Sequence, residues 1–337
     1  MLKGAFMAKY DSIVLGVDVG GTYINFAVVG FKKRKANVLL RKKENTKSNK
    51  KFCGIVDSFL EYAKKRCGLE PEAGCFAVAA LIEGKKGKQI AKMTNAAHVI
   101  DSREIVRKTR LKRVMIINDF EAVSCAVNIL GKKDLKTIQK GETVKKGVVA
   151  VVGAGTGLGK GILYYDNKKE FYIPLPSEGG QSDLPILNER ERDLAQFIRK
   201  VKKIKNQVRY EDVLSGRGLE NMYHFLQTNK FVYEQSNLSA EEISNTKKIN
   251  KCSKETFKWF MRFYARCCRN FVLETLSTGG LYIAGGIAGK NVDSFGKEFM
   301  EEFVKNETFP GFLSKIPINI ITNYNISPVG AAYAFLL

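Results

Sequence analysis

The sequence predicts an α/β fold of two lobes with a cleft between them, and three observations carry that expectation. The chain has 337 residues, 45% of them hydrophobic, enough for two lobes with real cores. Two hairpin patterns that turn on glycines, at Gly20-Gly21 and from Gly153 to Gly159, lie about 135 residues apart. After each, the pattern passes to helices and buried strands, as a duplicated α/β unit would. The expected division is a small α/β lobe of residues 1–117, completed by 324–337, and a large α/β lobe of residues 118–323.

Residues 13–19 are an apolar run broken by Asp18 and stopped by Gly20-Gly21-Thr22, and 23–29 alternate enough to return as a second strand. Residues 36–42 suit a third strand and the lysine-rich 43–51 a loop. Phe52, Val56, Phe59, Leu60, Tyr62 and Ala63 make an apolar face, which predicts a helix over 52–67. Residues 76–82 are a buried strand ended by Glu83-Gly84, and Ser102 caps a short helix reaching Lys108. A strand over 114–117 leads through Asn118-Asp119 into a helix over 121–130. Residues 147–152 and 162–165 form the second hairpin around its glycines. Helices follow over 186–202 and 211–227, then polar sequence at 229–252 with a helix start at Ser239-Ala240-Glu241-Glu242. A long helix over 254–276, strands over 280–284 and 316–321, and a helix from Pro328 complete the chain.

Composition removes several classes of function. No apolar run reaches the roughly 18 residues of a membrane span, so no membrane association is expected. The apolar part of Met1 to Met7 is too short for a signal peptide, so a cytoplasmic protein is expected. Seven cysteines, with no C-x-x-C pair, suggest reduced thiols and neither a disulfide framework nor a zinc site. His98 and His224 fall in no glycine or acid motif and read as structural or surface residues. Fifty-six Lys and Arg against 34 Asp and Glu give a net charge of +22. Such an excess attracts anionic ligands. The lysines are spread and lack interleaved aromatics, so specific nucleic-acid binding is not expected.

Chemistry concentrates at Met115-Ile116-Ile117-Asn118-Asp119-Phe120. A carboxylate at the end of a buried strand can take a proton from a hydroxyl, and the amide beside it can orient that hydroxyl. The same pair also suits a plain Asx turn. The glycine turns add a second element. Backbone N–H groups can converge on an anion where no Cβ blocks approach, and Thr22 and Thr156 each add a hydroxyl. Two familiar phosphate motifs fail: after Gly153 and Gly155 a strand follows instead of a helix, and Gly159-Lys160 is followed by Gly161 rather than Ser or Thr.

Six motifs in order carry a resemblance. They are Asp18-Val19-Gly20-Gly21-Thr22, Ile117-Asn118-Asp119-Phe120, Gly153-Ala154-Gly155-Thr156-Gly157-Leu158-Gly159, Ser177-Glu178-Gly179-Gly180, Leu214-Ser215-Gly216-Arg217-Gly218 and Ile283-Ala284-Gly285-Gly286-Ile287. From about residue 13 to 335 the chain resembles the bacterial-type glucokinases of the sugar kinase/Hsp70/actin superfamily. The resemblance implies a two-lobed ribonuclease-H-like, actin-like ATPase fold with an interlobe cleft. It implies ATP-dependent phosphorylation of the 6-hydroxyl of glucose in a cytoplasmic homodimer. By motif, Asp119 is the general base, and Asn118, Glu178, Gln181 and Glu211 join it on the sugar. Asp18 helps place Mg²⁺, directly or through water. Gly20, Gly21, Thr22, Gly155, Thr156 and Gly157 face the phosphates of ATP, and Gly285 and Gly286 the adenosine.

The sequence departs from the family at Gln181, where a histidine is usual, and at Tyr23 and Asn25, where Asn and Arg are usual. The C-terminal Asp-Asn-Pro-Gly pattern appears only loosely, as Asn325-Ile326-Ser327-Pro328, and the cysteine-rich zinc motif of the related repressor/kinase group is absent. Two alternatives share the fold: a kinase for another hexose, and a non-catalytic sugar-binding regulator. Fold alone does not separate them. The retained Asp119 favours catalysis.

Overall fold

The computed structural model describes residues 9–33, 35–46, 51–93, 99–228, 237–323 and 325–337. His98, residues 47–50 of the lysine-rich loop and residues 229–236 of the polar stretch lie outside them. The chain divides into two compact units. The first holds residues up to Gly131 with Asp166–Pro176 and Asn325–Leu337, and the second holds Lys132–Tyr165 with Ser177–Tyr324.

In the first unit β1 (Ser12–Val19) and β2 (Tyr23–Lys32) form the expected glycine-turn hairpin, pairing Asp18 with Asn25. β3 (Lys35–Asn45) follows antiparallel and runs into the stretch expected to be loop. It is an edge strand of the five-stranded sheet β3-β2-β1-β4-β8. Its Lys35, Arg41, Lys42 and Lys43 place part of the basic excess on an edge that charge protects from pairing with another chain. α1 spans Phe52–Cys67, as its periodicity predicts, and stops at Gly68, whose positive φ of 66° lets its N–H reach the carbonyls of Ala63 and Lys64. Phe59 of α1 stacks on Phe26 of β2 with ring centroids 4.4 Å apart.

β4 (Ala73–Val78) ends sooner than expected, because the Ala80 N–H turns back to the Val78 carbonyl. β5 (Ile82–Glu83), β6 (Ile90–Lys92) and β7 (Val99–Asp101) then make a small antiparallel sheet. α2 (Ser102–Lys108) is capped by Asp101, which accepts the Arg103 N–H. Ser102, the expected cap, is buried, and its hydroxyl accepts the Gln89 N–H instead. β8 (Arg113–Asn118) runs parallel to β4 and leads directly into α3 (Asp119–Ala126).

In the second unit β9 (Leu135–Gln139) precedes β10 (Val149–Ala154) and β11 (Leu158–Asp166), which pair as the second hairpin, while β12 (Phe171–Ser177) falls in the first unit as far as Pro176. α4 (Glu189–Lys202) follows. The expected 211–227 helix is two helices, α5 (Tyr210–Val213) and α6 (Gly216–Thr228). The break is steric: Leu214 leaves helical dihedrals, and a Cβ on Gly218 would collide with the Val213 carbonyl. α7 (Ala240–Thr246) starts at the predicted Ser239–Glu242 capping box, and α8 (Lys251–Thr275) is the long helix whose aromatic face fills the core. β13 (Gly280–Ala284), α9 (Gly286–Lys290), α10 (Lys297–Val304), α11 (Pro310–Ser314), β14 (Ile318–Ile321) and α12 (Ser327–Ala334) finish the chain, α12 in the first unit. The six-stranded sheet runs β12-β11-β10-β13-β14-β9.

Candidate functional site

Asn118 closes β8 and caps α3. Its Oδ1 accepts the N–H groups of Phe120 at 2.8 Å and Glu121 at 3.3 Å. The Asx geometry and the candidate chemistry are thus the same feature. With the carbonyl end committed to the cap, the amide NH₂ is left to donate. Asp119 is the first helical residue, half-buried, and its Oδ1 accepts the Phe120 N–H at 2.8 Å. Glu121, in the same turn, is pushed up in pKa by burial, with a backbone bond to Asn118 pulling the other way.

The register brings Asp18 to the same edge. β1, β4 and β8 are parallel, and Asp18 pairs with Ala77 while Ala77 pairs with Ile117. Two strand spacings put Asp18 and the Asn118-Asp119 pair roughly 10 Å apart at the carboxyl ends of the strands, where open α/β sheets bind ligands. Asn25, across the hairpin, donates to Asp18 at 3.1 Å. Burial pushes the Asp18 carboxyl above its ordinary pKa, and Asn25 and then Ser327 oppose that. The Ser327 hydroxyl nevertheless falls short of hydrogen-bond geometry and is buried without a partner among the described residues. Close packing fixes this edge: a Cβ on Gly16 would collide with the Pro328 carbonyl, and one on Gly330 with the Ala122 carbonyl. α12 is therefore held tightly against β1 and α3. The first glycine turn is tied by Thr46, whose hydroxyl donates to the Gly20 carbonyl at 2.8 Å and whose N–H donates to that of Thr22 at 2.9 Å. Gly21 is half-buried and Thr22 is exposed.

The second unit gathers the remaining predicted residues. The Gly155 N–H closes the hairpin turn on the Gly157 carbonyl at 2.8 Å, and Thr156 is exposed at its tip. Glu211 docks against this turn, its Oε2 accepting the Leu158 N–H at 3.0 Å. Gly157 has no room for a side chain beside that carboxylate. Gly285 leaves β13 with φ of 88°, and a Cβ there would collide with the Ala154 carbonyl of β10. Gly155 and Gly286, by contrast, face open space. The strand ends of β10 and β13 thus bring the 155–157 turn beside Gly285-Gly286, with Gly155 and Gly286 left uncovered.

Glu178 precedes a tight turn, Gly179–Gln181, laid flat on β11. A Cβ on Gly180 would collide with the Leu158 carbonyl, and one on Gly179 would lie 2.7 Å from Lys160 Cδ. Lys160 is 2% exposed and ends over the Tyr210 ring at 4.5 Å. Glu178 and Gln181 are exposed. Gln181 Oε1 accepts from Arg209 at 2.6 Å. Sequence reasoning missed Arg209 and Thr46, and met Lys160, Asn25 and Ser327 only as departures from motifs. His224 sits edge-on to Tyr223, with ring centroids 6.3 Å apart. All seven cysteines are free thiols, and no metal-holding cluster of His, Cys, Asp and Glu occurs among the described residues.

Solved structures share this fold. A glucokinase from an Antarctic psychrotroph matches at a TM-score of 0.81 and 23% identity, covering 96% of this chain and 98% of that one. A glucokinase from Balamuthia mandrillaris, solved with glucose, matches at 0.79 and 22%, covering 99% and 97%. The chain therefore has the actin-like α/β fold of the sugar kinases, as the sequence led us to expect. Sequence narrows the class. The glucokinase family matches residues 15–336, and a glucokinase of Nostoc punctiforme is 30% identical over 344 residues, covering 95% of this chain and 98% of its own. The protein belongs to the glucokinase family.

Proposed function

We propose that the protein transfers the γ-phosphoryl group of ATP to the 6-hydroxyl of glucose, giving glucose 6-phosphate and ADP, with Asp119 as general base. The observation that carries this is the Asn118-Asp119 pair, locked by its own helix cap in the register row of Asp18, in a chain of this family. Asp119 takes the hydroxyl proton as the oxygen attacks phosphorus, and the Asn118 NH₂ orients that hydroxyl. Glu178, Gln181 and Glu211 are the further sugar ligands in this reading. The turns at Gly20-Gly21-Thr22 and Gly155-Thr156-Gly157 supply N–H and hydroxyl donors for phosphates, and Gly285-Gly286 leaves room for the adenosine.

Mg²⁺ suits the residues present. A half-buried carboxylate beside the unpartnered Ser327 hydroxyl is an oxygen environment of the kind a hard cation takes. Asp18 would hold it, directly or through water. When bound, the ion neutralises charge on the transferring phosphoryl group.

A coupled assay of ADP release across glucose, mannose, fructose and glucosamine tests the reading. Turnover with glucose, lost in an Asp119 variant, is expected; no hexose-dependent ADP release would leave a sugar-binding regulator. The same reading places the enzyme in the cytoplasm as a homodimer. No described helix is long and apolar enough to cross a membrane, and sedimentation of the purified protein tests the dimer.

A further inference from the structure

One cavity, in the first unit, takes no part in this chemistry. It has a volume of about 610 Å³ and opens beside β8 and the C-terminal segment, a size usual for small-molecule sites. Val106, Val114, Met115 and Phe335 give it an apolar floor. The rest of its lining is cationic apart from Gly87, and no carboxylate faces it.

Two of those cations are already satisfied. Arg103 is held by Asp101 at 2.7 Å and 3.1 Å, and Lys112 by Glu72 at 2.6 Å. Lys86, Arg107 and Arg113 form no ion pair among the described residues, although Arg107 feels the Glu104 carboxylate on its own helix. Arg113 lies over the Phe335 ring at 5.3 Å instead. Cations left without close partners around one apolar hollow repel one another, and an anion seated there relieves that repulsion.

The strand edge adds a backbone donor. β8 is an edge strand, and at Ile116 its outer N–H and C=O are both taken by the Gln89 side chain, at 3.1 Å and 2.6 Å. Strand alternation sets the Val114 N–H on the same outer side, two residues earlier, where Val114 lines the cavity.

We infer that this cavity binds a phosphate ester carried on an apolar or aromatic body. Arg107, Arg113 and Lys86 take the phosphate, and Phe335, Val106 and Met115 take the body. A free nucleotide and a coenzyme A compound both have this chemistry. The site does not depend on the proposed catalytic roles.

Titration calorimetry on the full chain tests it with three probes: ADP, coenzyme A and inorganic pyrophosphate. The proteins are the wild type, R107Q/R113Q and V106D, the last placing a carboxylate at a wall position that is 39% exposed. One ADP per chain whose binding both variants weaken identifies a nucleotide as the source, and one coenzyme A per chain identifies the coenzyme. Either binding event should weaken at least about tenfold in both variants, the scale of one lost charge-assisted hydrogen bond. Pyrophosphate should bind at least about tenfold more weakly than the successful probe, because it has no body for the floor. If R107Q/R113Q does not fold, V106D alone decides. Absence of any ADP binding that the variants weaken, together with no coenzyme A binding, overturns the inference. So does binding that neither variant weakens, or pyrophosphate binding as tightly as the esters. Sedimentation of the same proteins covers the other occupant: variants that turn a dimer into monomers without changing ligand binding would make this face a contact between copies.

Discussion

Arg209 reaches Gln181 Oε1 at 2.6 Å while its Nε and Nη2 grip Asp212 at 3.0 Å each. Asp212 is fully buried and also held by Lys202. The guanidinium is therefore a fixed post, and it turns the Gln181 amide so that the NH₂ end is left to donate. A histidine at 181 can accept from Arg209 through one ring nitrogen and donate through the other. Gln181→His should keep activity and move the KM for glucose by no more than about tenfold, with kcat less affected, because one neutral hydrogen bond is at stake. Measuring kcat/KM for glucose, mannose, fructose and glucosamine on both forms checks this. If the natural enzyme prefers another hexose and Gln181→His restores glucose, the glucose assignment is wrong.

Asp119→Ala should lower kcat by roughly 10²–10⁴, the contribution of a positioned base. Asn118 still caps α3 through Oδ1, so circular dichroism and much of the glucose binding should be unchanged. Retention of more than about a tenth of wild-type kcat would remove Asp119 from the base role, given the minimum expected for such a group.

Asp18 couples function to stability with a definite sign. Its folded-state pKa lies above the ordinary 3.8, chiefly through burial. The folded chain then binds this proton more tightly than the unfolded chain, so stability falls as pH rises from 3.8 through the folded value. At pH 7 the carboxyl therefore favours the fold less than it does in acid. Asp18→Asn should raise Tm at pH 7 while reducing turnover, and the gain should vanish well below pH 3.8, where both states are protonated. A Tm below wild type at pH 7 would contradict the sign.

Gly285 and Gly286 separate packing from ligand approach. Gly285→Ala meets both a φ of 88° and the Ala154 carbonyl, and should cost about 1–3 kcal/mol in urea unfolding. Gly286→Ala faces open space and should leave stability within about 0.5 kcal/mol. It should raise the KM for ATP if the nucleotide lies there. Equal stability losses at the two positions would refute the distinction.

What was legible in the sequence is what local chemistry dictates. Gly20-Gly21 and Gly153 to Gly159 announced hairpins, Phe52 to Ala63 announced α1, and Ser239–Glu242 announced a helix start, since each signal is complete within a few residues. The pattern over 211–227 reads as one helix because nothing local to Leu214 shows that Gly218 packs on the Val213 carbonyl. β5 to β7 are too short for any period to register. α10 went unread although Phe299 and Phe303 stand one turn apart, their rings parallel at 6.3 Å. In the candidate site the residues proposed to react are readable as motifs, but their supports are not. Asn25 and Ser327 at Asp18, and Arg209 at Gln181, are partnerships made by register and packing between separated segments, which a single sequence does not display.

The tight seating of α12 on Gly16 has a consequence for how the first unit closes. Gly16 of β1 and Pro328 of α12 stand about 310 residues apart in the chain, yet the hollow at Gly16 is filled by the Pro328 carbonyl. A contact of such long separation demands a large loop closure and belongs to the slow part of folding. Until it forms, the strand edge that carries Asp18 and Asp119 lacks its brace, so the candidate chemistry is assembled only when the most distant contact of the unit is in place.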